Sequence, residues 1–279
     1  MASRVDDVDG SSAVLVERDG PVTWITLNRP ERLNALNEAM LRRLDEVIVA
    51  ERSSDSRVLV IRGAGRAFSS GHDLSSDSVE VTEPGDAVAD HDRQASYIDL
   101  FMKVWEHPKP VIAAIHGYCM AGAAQLATFC DVVVTADDAI IAASPSLPIG
   151  GGFISPLLAY YVGASRAKVL SFVPGKRISG RTAADWGWAY ESVPAAELLE
   201  TVRALALEMS RTPASVLRMK KIAVNRTLEL QGFRLTAYMG AQTDVVVHYS
   251  DAVEHVKTTI EAVGFKQTQR VFDRGELFP

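Results

Sequence analysis

Hydrophobic and polar positions alternate at strand spacing near the start of the chain, mix strand and helix spacing in the middle, and keep helical spacing to the end. Short β-branched runs at 13–17 and 22–27 flank Arg18, Asp19, Gly20 and Pro21, which predicts a hairpin. Met40, Leu41, Leu44, Val47 and Ile48 recur at helical spacing and predict a helix over 39–50, and 58–61 reads as a buried strand. A polar stretch over 63–92 then breaks the pattern and is long enough to read as a functional loop. A helix over 95–106, a strand over 111–114 behind two prolines, a buried helix opened by Gly122 and a buried strand over 132–135 follow.

Beyond the glycine run Gly150, Gly151 and Gly152 the pattern is mostly helical, and no strand signal is found from about residue 195 onward. Amphipathic stretches recur at 198–209, 214–230, 233–247 and 252–263. The expected organisation is an α/β core over 13–195 and a helical region over 196–279. Residues 1–12 carry Asp6, Asp7 and Asp9 without an apolar segment, so they are expected to form a disordered leader rather than a signal peptide.

Composition narrows the function classes. With 279 residues, 47% hydrophobic and 23% charged, the chain suits one large core or a core with an appendage. A net charge of -6 and a pI near 5.6 supply no general basic field, so neither nucleic acid nor an anionic membrane surface is expected as a partner. No apolar run reaches the length of a membrane span. Cys119 and Cys130 sit in apolar sequence, which suits buried, reduced thiols and a cytoplasmic location.

Residues 175–182 fit a phosphate-binding loop except for Arg181 in the lysine position. No strand is predicted before them, and Ser179 reads as the N-cap of a helix. The six histidines show no metal-ligand spacing, so no metal is expected. The stronger signal is a pair of turns rich in small residues, Ala67-Phe68-Ser69-Ser70-Gly71-His72-Asp73-Leu74 and His116-Gly117-Tyr118-Cys119-Met120-Ala121-Gly122. Small residues let main chain approach a ligand closely, and a helix beginning at Gly122 offers free NH groups. Two such groups would form an oxyanion hole for a polarised carbonyl.

These turns, with LNRPERLNAL at 27–36, KPVIAAIHGYCMAGAAQLA at 109–127, Asp131 and RISGRTAA at 177–184, appear in the order found in the crotonase, or enoyl-CoA hydratase/isomerase, superfamily, which the sequence resembles over about 13–265. The resemblance implies a spiral of ββα units, a C-terminal helical region that builds trimers or dimers of trimers, and an acyl-CoA substrate with no permanently bound cofactor. It places the oxyanion NH groups at His72 and Gly122. It places coenzyme contacts at Arg32, Leu33 and the Ser70 carbonyl, with Lys266 and Arg270 near the 3′-phosphate. Arg66 would add local positive charge to an otherwise acidic protein.

The two glutamates that family hydratases use for proton transfer fall at Gln125 and Ser146. An amide cannot take the proton and a hydroxyl is too weak an acid, so the two-glutamate hydration mechanism is not expected. The Gly71-His72-Asp73 sequence also resembles methylmalonyl-CoA decarboxylase-like members, although their turn tyrosine falls near Phe153. Two readings follow. One is an enoyl-CoA hydratase/isomerase-class enzyme acting through an enolate, with decarboxylase and thioester hydrolase as neighbours. The other is an acyl-CoA binder without catalysis.

Overall fold

Strands of the first half of the chain come in pairs: a longer one enters a large sheet and, after a turn of two or three residues, a shorter one enters a small sheet. The computed structural model describes residues 3–4, 12–73, 86–150 and 154–278. Its seven-stranded sheet has the order β1-β2-β3-β4-β6-β8-β11. The members are β1 (Ser3–Arg4), β2 (Val14–Asp19), β3 (Val22–Leu27), β4 (Val58–Gly63), β6 (Val111–Ile115), β8 (Val132–Ala136) and β11 (Glu191–Val193). The four-stranded sheet, order β10-β9-β7-β5, contains β5 (Ala67–Ser69), β7 (Tyr118–Met120), β9 (Ile140–Ala142) and β10 (Arg177–Ser179).

Parallel pairing of β4 with β6 and β6 with β8 is repeated by β5 with β7 and β7 with β9. Each pair of strands leads to a helix, α2 (Ala87–Trp105), α3 (Gly122–Thr128) or α4 (Ile154–Val162), so three successive ββα units wind into the expected spiral. Parallel strands covered on both faces need continuous apolar runs. Accordingly every residue of β3 and β6 is buried.

The remaining helices are α1 (Glu38–Glu51), α5 (Ala164–Phe172), α6 (Gly180–Asp185), α7 (Leu198–Ser210), α8 (Ala214–Leu230), α9 (Phe233–His248), α10 (Asp251–Val263) and α11 (Phe265–Asp273). Leu198, Val202 and Ala206 are one face of α7, buried against β3, β4, β6 and β8. α9 packs on α2 and α4, with Phe233 stacked on Trp105 at 4.9 Å. α8 buries none of its residues within the chain and leaves Val216, Met219, Val224 and Leu230 exposed. Among the described residues no helix is long and apolar enough to cross a membrane.

The hairpin, the buried strands and the C-terminal helices lie where their patterns put them, and Ser179 caps α6 by accepting from the Thr182 NH. The polar stretch over 63–92 differs from the single loop expected. It holds β5, and α2 begins at Ala87, capped by the Asp86 carboxylate, which accepts from the Val88 NH; this start was missed because the buried positions of its first turns are Asp90 and Gln94 rather than apolar residues. Three-residue strands such as β7, β9, β10 and β11 also went unpredicted, being too short to establish a period. Of the expected leader, Ser3 and Arg4 pair with β2, and residues 1–2 and 5–11 lie outside the described residues.

Candidate active site

Main-chain hydrogen bonds hold the first glycine-containing turn in place. The loop between β3 and α1 turns back on itself at Leu33 and Asn34, whose φ values are 51° and 54°. The buried Asn34 amide accepts from the Arg29 NH at 2.9 Å and donates to the carbonyls of Ala64 and Ala67, both at 2.8 Å. Arg29 donates through Nη1 to the Ala35 carbonyl at 2.7 Å and to Asp73 Oδ2 at 2.8 Å. Along this loop Ser70 N donates to Leu33 O (2.9 Å), Leu36 N to Gly71 O (2.8 Å) and Asp73 N to Leu36 O (3.2 Å). Residues 70–73 are thereby aligned like a strand, and Asp73 serves this alignment.

The second turn joins β7 to α3. Ala121 adopts φ 44° and ψ -113°, a conformation that costs an L-residue about 1–3 kcal/mol. It is held there by its NH, which donates to Ala142 O at 2.8 Å. Gly122 then begins α3, and NH groups in the first turn of a helix have no acceptor within that helix.

The two turns touch through their glycines. A Cβ atom on Gly71, whose φ is 90°, would stand 2.6 Å from Met120 O and 3.1 Å from Gly122 N. A Cβ on Gly122 would stand 2.5 Å from His72 Cδ2 and 2.6 Å from Nε2. Both distances are too short for any side chain, so the chains meet backbone to backbone with the His72 imidazole over the start of α3. That ring stacks on Tyr97 of α2, with centroids 4.5 Å apart. Its Nε2 lies 3.3 Å from Oε1 of the buried Gln125, to which a protonated Nε2 donates.

The structure thus gathers His72, Gly122 and Gln125, and it sets Leu33 and Ser70 on the neighbouring strand-like pairing. Arg32 is exposed beside Leu33. Ser146 is elsewhere: its carbonyl accepts from Gln269 Nε2 of α11 at 3.1 Å, and it packs against Gly175. Among the described residues no hydrogen bond joins Ser146 to His72 or Gln125. Lys266 and Arg270 are exposed on α11, as Arg66 is on its own turn. Phe153 and residues 74–85 lie outside the described residues.

Motif reading overlooked the roles of Asn34 and Arg29, although both lie in the quoted LNRPERLNAL stretch. It also missed a second polar cluster. Asp90 of α2 accepts from His248 Nδ1 at the end of α9 at 2.8 Å, and Arg93 Nη2 donates to the other Asp90 oxygen at 2.5 Å. Burial pushes the Asp90 carboxyl up, but the hydrogen bond and charge of His248, with Arg93 behind them, outweigh it and bring the pKa down to about 2. Asp90 and His248 are 158 residues apart, so no local motif signals the pair.

Cys119 and Cys130 are buried and form no disulfide, and burial pushes both thiols well above their usual range. Neither is an available nucleophile. Arg181 of the phosphate-loop-like stretch is engaged with Asp137 at 2.6 Å. Among the described residues no three His, Cys, Asp or Glu side chains group as a metal site.

Known proteins resemble the chain in sequence and in fold. Residues 17–269 match the family described as enoyl-CoA hydratase/isomerase. A crystal structure of an enoyl-CoA hydratase/isomerase from Xanthobacter autotrophicus Py2 superimposes with a TM-score of 0.87 at 31% identity, covering 96% of this chain and 99% of that one. The 1,2-epoxyphenylacetyl-CoA isomerase of Escherichia coli K12 is 33% identical over 73% of this chain and 78% of its own. The hydroxycinnamoyl-CoA hydratase-lyase of Pseudomonas fluorescens is 30% identical over 83% and 84%. With the paired strands, the ββα spiral and a family match across nearly its whole length, the chain belongs to the enoyl-CoA hydratase/isomerase, or crotonase, family.

Proposed function

We propose that this protein binds an acyl-CoA thioester with its carbonyl oxygen between the NH groups of His72 and Gly122, and acts on the acyl group through an enolate. The observation that carries the reading is the backbone contact between the two turns at Gly71 and Gly122. Donors held in place before the reaction stabilise negative charge where it develops on the oxygen, without reorganising. Coenzyme contacts are assigned to Arg32, Leu33 and Ser70, with Lys266 reaching the 3′-phosphate. The reaction class is that of the family, hydratase or isomerase.

Gln125 favours a second reading. It occupies the position of a proton-transferring glutamate, and an amide accepts a hydrogen bond from His72 but takes no proton. Decarboxylation needs enolate stabilisation without a carboxylate base at this point, so a decarboxylase of the same family is the alternative. In both readings the exposed apolar residues of α8, with Leu235, Met239 and Val246 of α9, support self-association, which the family resemblance makes a homotrimer or a dimer of trimers.

The test is crotonyl-CoA hydration by the native protein and by a Gln125→Glu/Ser146→Glu variant, alongside carboxylated and β,γ-unsaturated thioesters. Ordinary hydration by the native protein would overturn the view that the two-glutamate mechanism is absent. An acyl-CoA affinity no greater than that for coenzyme A would overturn the carbonyl cradle. Sedimentation of the purified protein as a monomer would overturn the oligomer.

A further inference from the structure

A site that forms enolates needs a group to take up the proton, and the side chains described at the two turns offer few. Gln125 is an amide, and Asp73 is paired with Arg29 at 2.8 Å. His116 is bonded to the Gly65 carbonyl at 2.9 Å, and Ser146 to Gln269 rather than to either turn. Helix α3 carries no charged residue. On the facing helix α2, Arg93 and Asp90 lie one and two turns before Tyr97 and are paired with each other. His72 is the side chain that these engagements leave at the turns, and an imidazole exchanges a proton near neutral pH.

The ring also stands where such a proton would be. His72 is half-buried, with its Nδ1 edge enclosed. Nε2 lies on the edge that passes over Gly122, 2.6 Å from a Cβ built there and 3.3 Å from Gln125 Oε1. A carbonyl oxygen held about 2.9 Å from Gly122 N carries its α-carbon within roughly 5 Å of that nitrogen. Contact with Gly122 confines Nε2 to the same neighbourhood. Tyr97 stacks on the ring with centroids 4.5 Å apart and limits its rotation.

The same geometry accounts for an amide at position 125. A glutamate there would pair with the imidazole as a cation, and a nearby opposite charge holds the proton on a base. An amide imposes no such charge. Its oxygen accepts from Nε2 when the ring is protonated, and after a turn about the last side-chain bond its NH2 donates to Nε2 when the ring is neutral. The ring can therefore gain and lose a proton without losing its partner.

We infer that His72 is the proton-transferring residue of this site and that Gln125 is its positioning residue. Nε2 takes a proton from the acyl α-carbon, and the electron pair of that C–H bond passes into the thioester. The enolate oxygen so formed is held by the NH groups of His72 and Gly122. The imidazolium then returns the proton, to the α-carbon or, in a β,γ-unsaturated thioester, to the γ-carbon. No oxidant, reductant or second substrate is consumed. The inference rests on the carbonyl being held between those two NH groups, because that brings the α-carbon to the ring.

The test is exchange of the α-hydrogens of butyryl-CoA for deuterium in D2O, followed by mass spectrometry with the full-length protein. Exchange should rise with pH between about 5 and 8, as the imidazole loses its proton, and then level off. His72→Gln keeps both NH donors but has no base, so exchange should fall about 100-fold or more while the carbonyl stretch of the bound thioester stays shifted. Gln125→Met should move the midpoint of the profile to lower pH, because the imidazolium loses an acceptor. A merely structural role for Gln125 would leave the midpoint in place. Exchange by His72→Gln at the native rate overturns the inference. So does a native rate that is flat over that pH range, or no exchange by a native protein that shifts the carbonyl stretch. Absence of the shift overturns the carbonyl cradle, and the inference with it. The native profile needs no variant, so it decides the matter even if a substituted protein fails to fold.

Discussion

His72 and Gly122 share one space: the imidazole of the first stands where any side chain on the second would begin, with Cδ2 2.5 Å from a Cβ built there. Gly122→Ala must therefore move either the ring or the start of α3, and with it a donor of the proposed cradle. Turnover of whichever acyl-CoA proves to be the substrate should fall about 100-fold or more, the usual effect of losing one such donor. The direct check is the carbonyl stretch of a bound thioester. It should shift to lower frequency in the native protein and return toward its solution value in the variant. An unchanged shift would show that Gly122 does not hold the carbonyl oxygen.

Ala121 should respond in the opposite sense. Its φ of 44° is poorly suited to an alanine, and glycine occupies that region without penalty. Ala121→Gly should leave the fold intact and stabilise it by about 1 kcal/mol, the strain relieved exceeding the added freedom of the unfolded chain. Urea denaturation midpoints of the two proteins measure this. A clear loss of stability would show that the turn gains from its methyl group more than it loses in backbone strain.

Asn34 ties three main-chain groups together with one side chain. Asn34→Ala leaves the Ala64 and Ala67 carbonyls and the Arg29 NH without that partner, and a loss of about 3 kcal/mol or more is expected. Because the same loop aligns residues 70–73, acyl-CoA binding should weaken together with stability. Asn34→Asp restores only the acceptor half of the interaction and should be intermediate at best.

His107 makes acid stability testable. Burial, followed by the charge of Lys221, pushes its pKa down from 6.5 to about 4, and its neutral Nδ1 accepts from the Lys109 NH at 3.2 Å. The unfolded chain takes up this proton first as pH falls. The contribution is complete above pH 6.5, declines between pH 6.5 and about 4, and is then exhausted, for a total of up to about 3 kcal/mol. Stability curves of the native protein and of His107→Gln should converge over that window. Parallel curves would show that His107 is not held neutral.

Much of this architecture is legible in the sequence because its signals are local. The 22–27 run and the helical spacing of Met40, Leu44 and Ile48 depend only on neighbours, and so do the small residues around Gly71 and Gly122. What escaped depends on distant contacts. α2 could not be traced back to Ala87 because its buried Asp90 is matched by His248, far along the chain on α9. Ala121 offers no sign of its left-handed backbone, since the strain is imposed by Ala142 on a neighbouring strand. The resemblance singles out Ser146 as a position, yet its surroundings come from distant chain, Gly175 just before β10 and Gln269 of α11.

The touching turns are made of main-chain atoms, and this divides the labour of the proposed site in a particular way. Donors that belong to the peptide backbone do not depend on the chemistry of their own side chains; a proline at His72 or Gly122 would delete the NH itself, and any side chain at Gly71 or Gly122 would displace the turn. Side-chain groups that transfer protons have no such protection. Exchange of the proton-transferring side chains would therefore change the reaction while leaving the proposed cradle for the thioester in place.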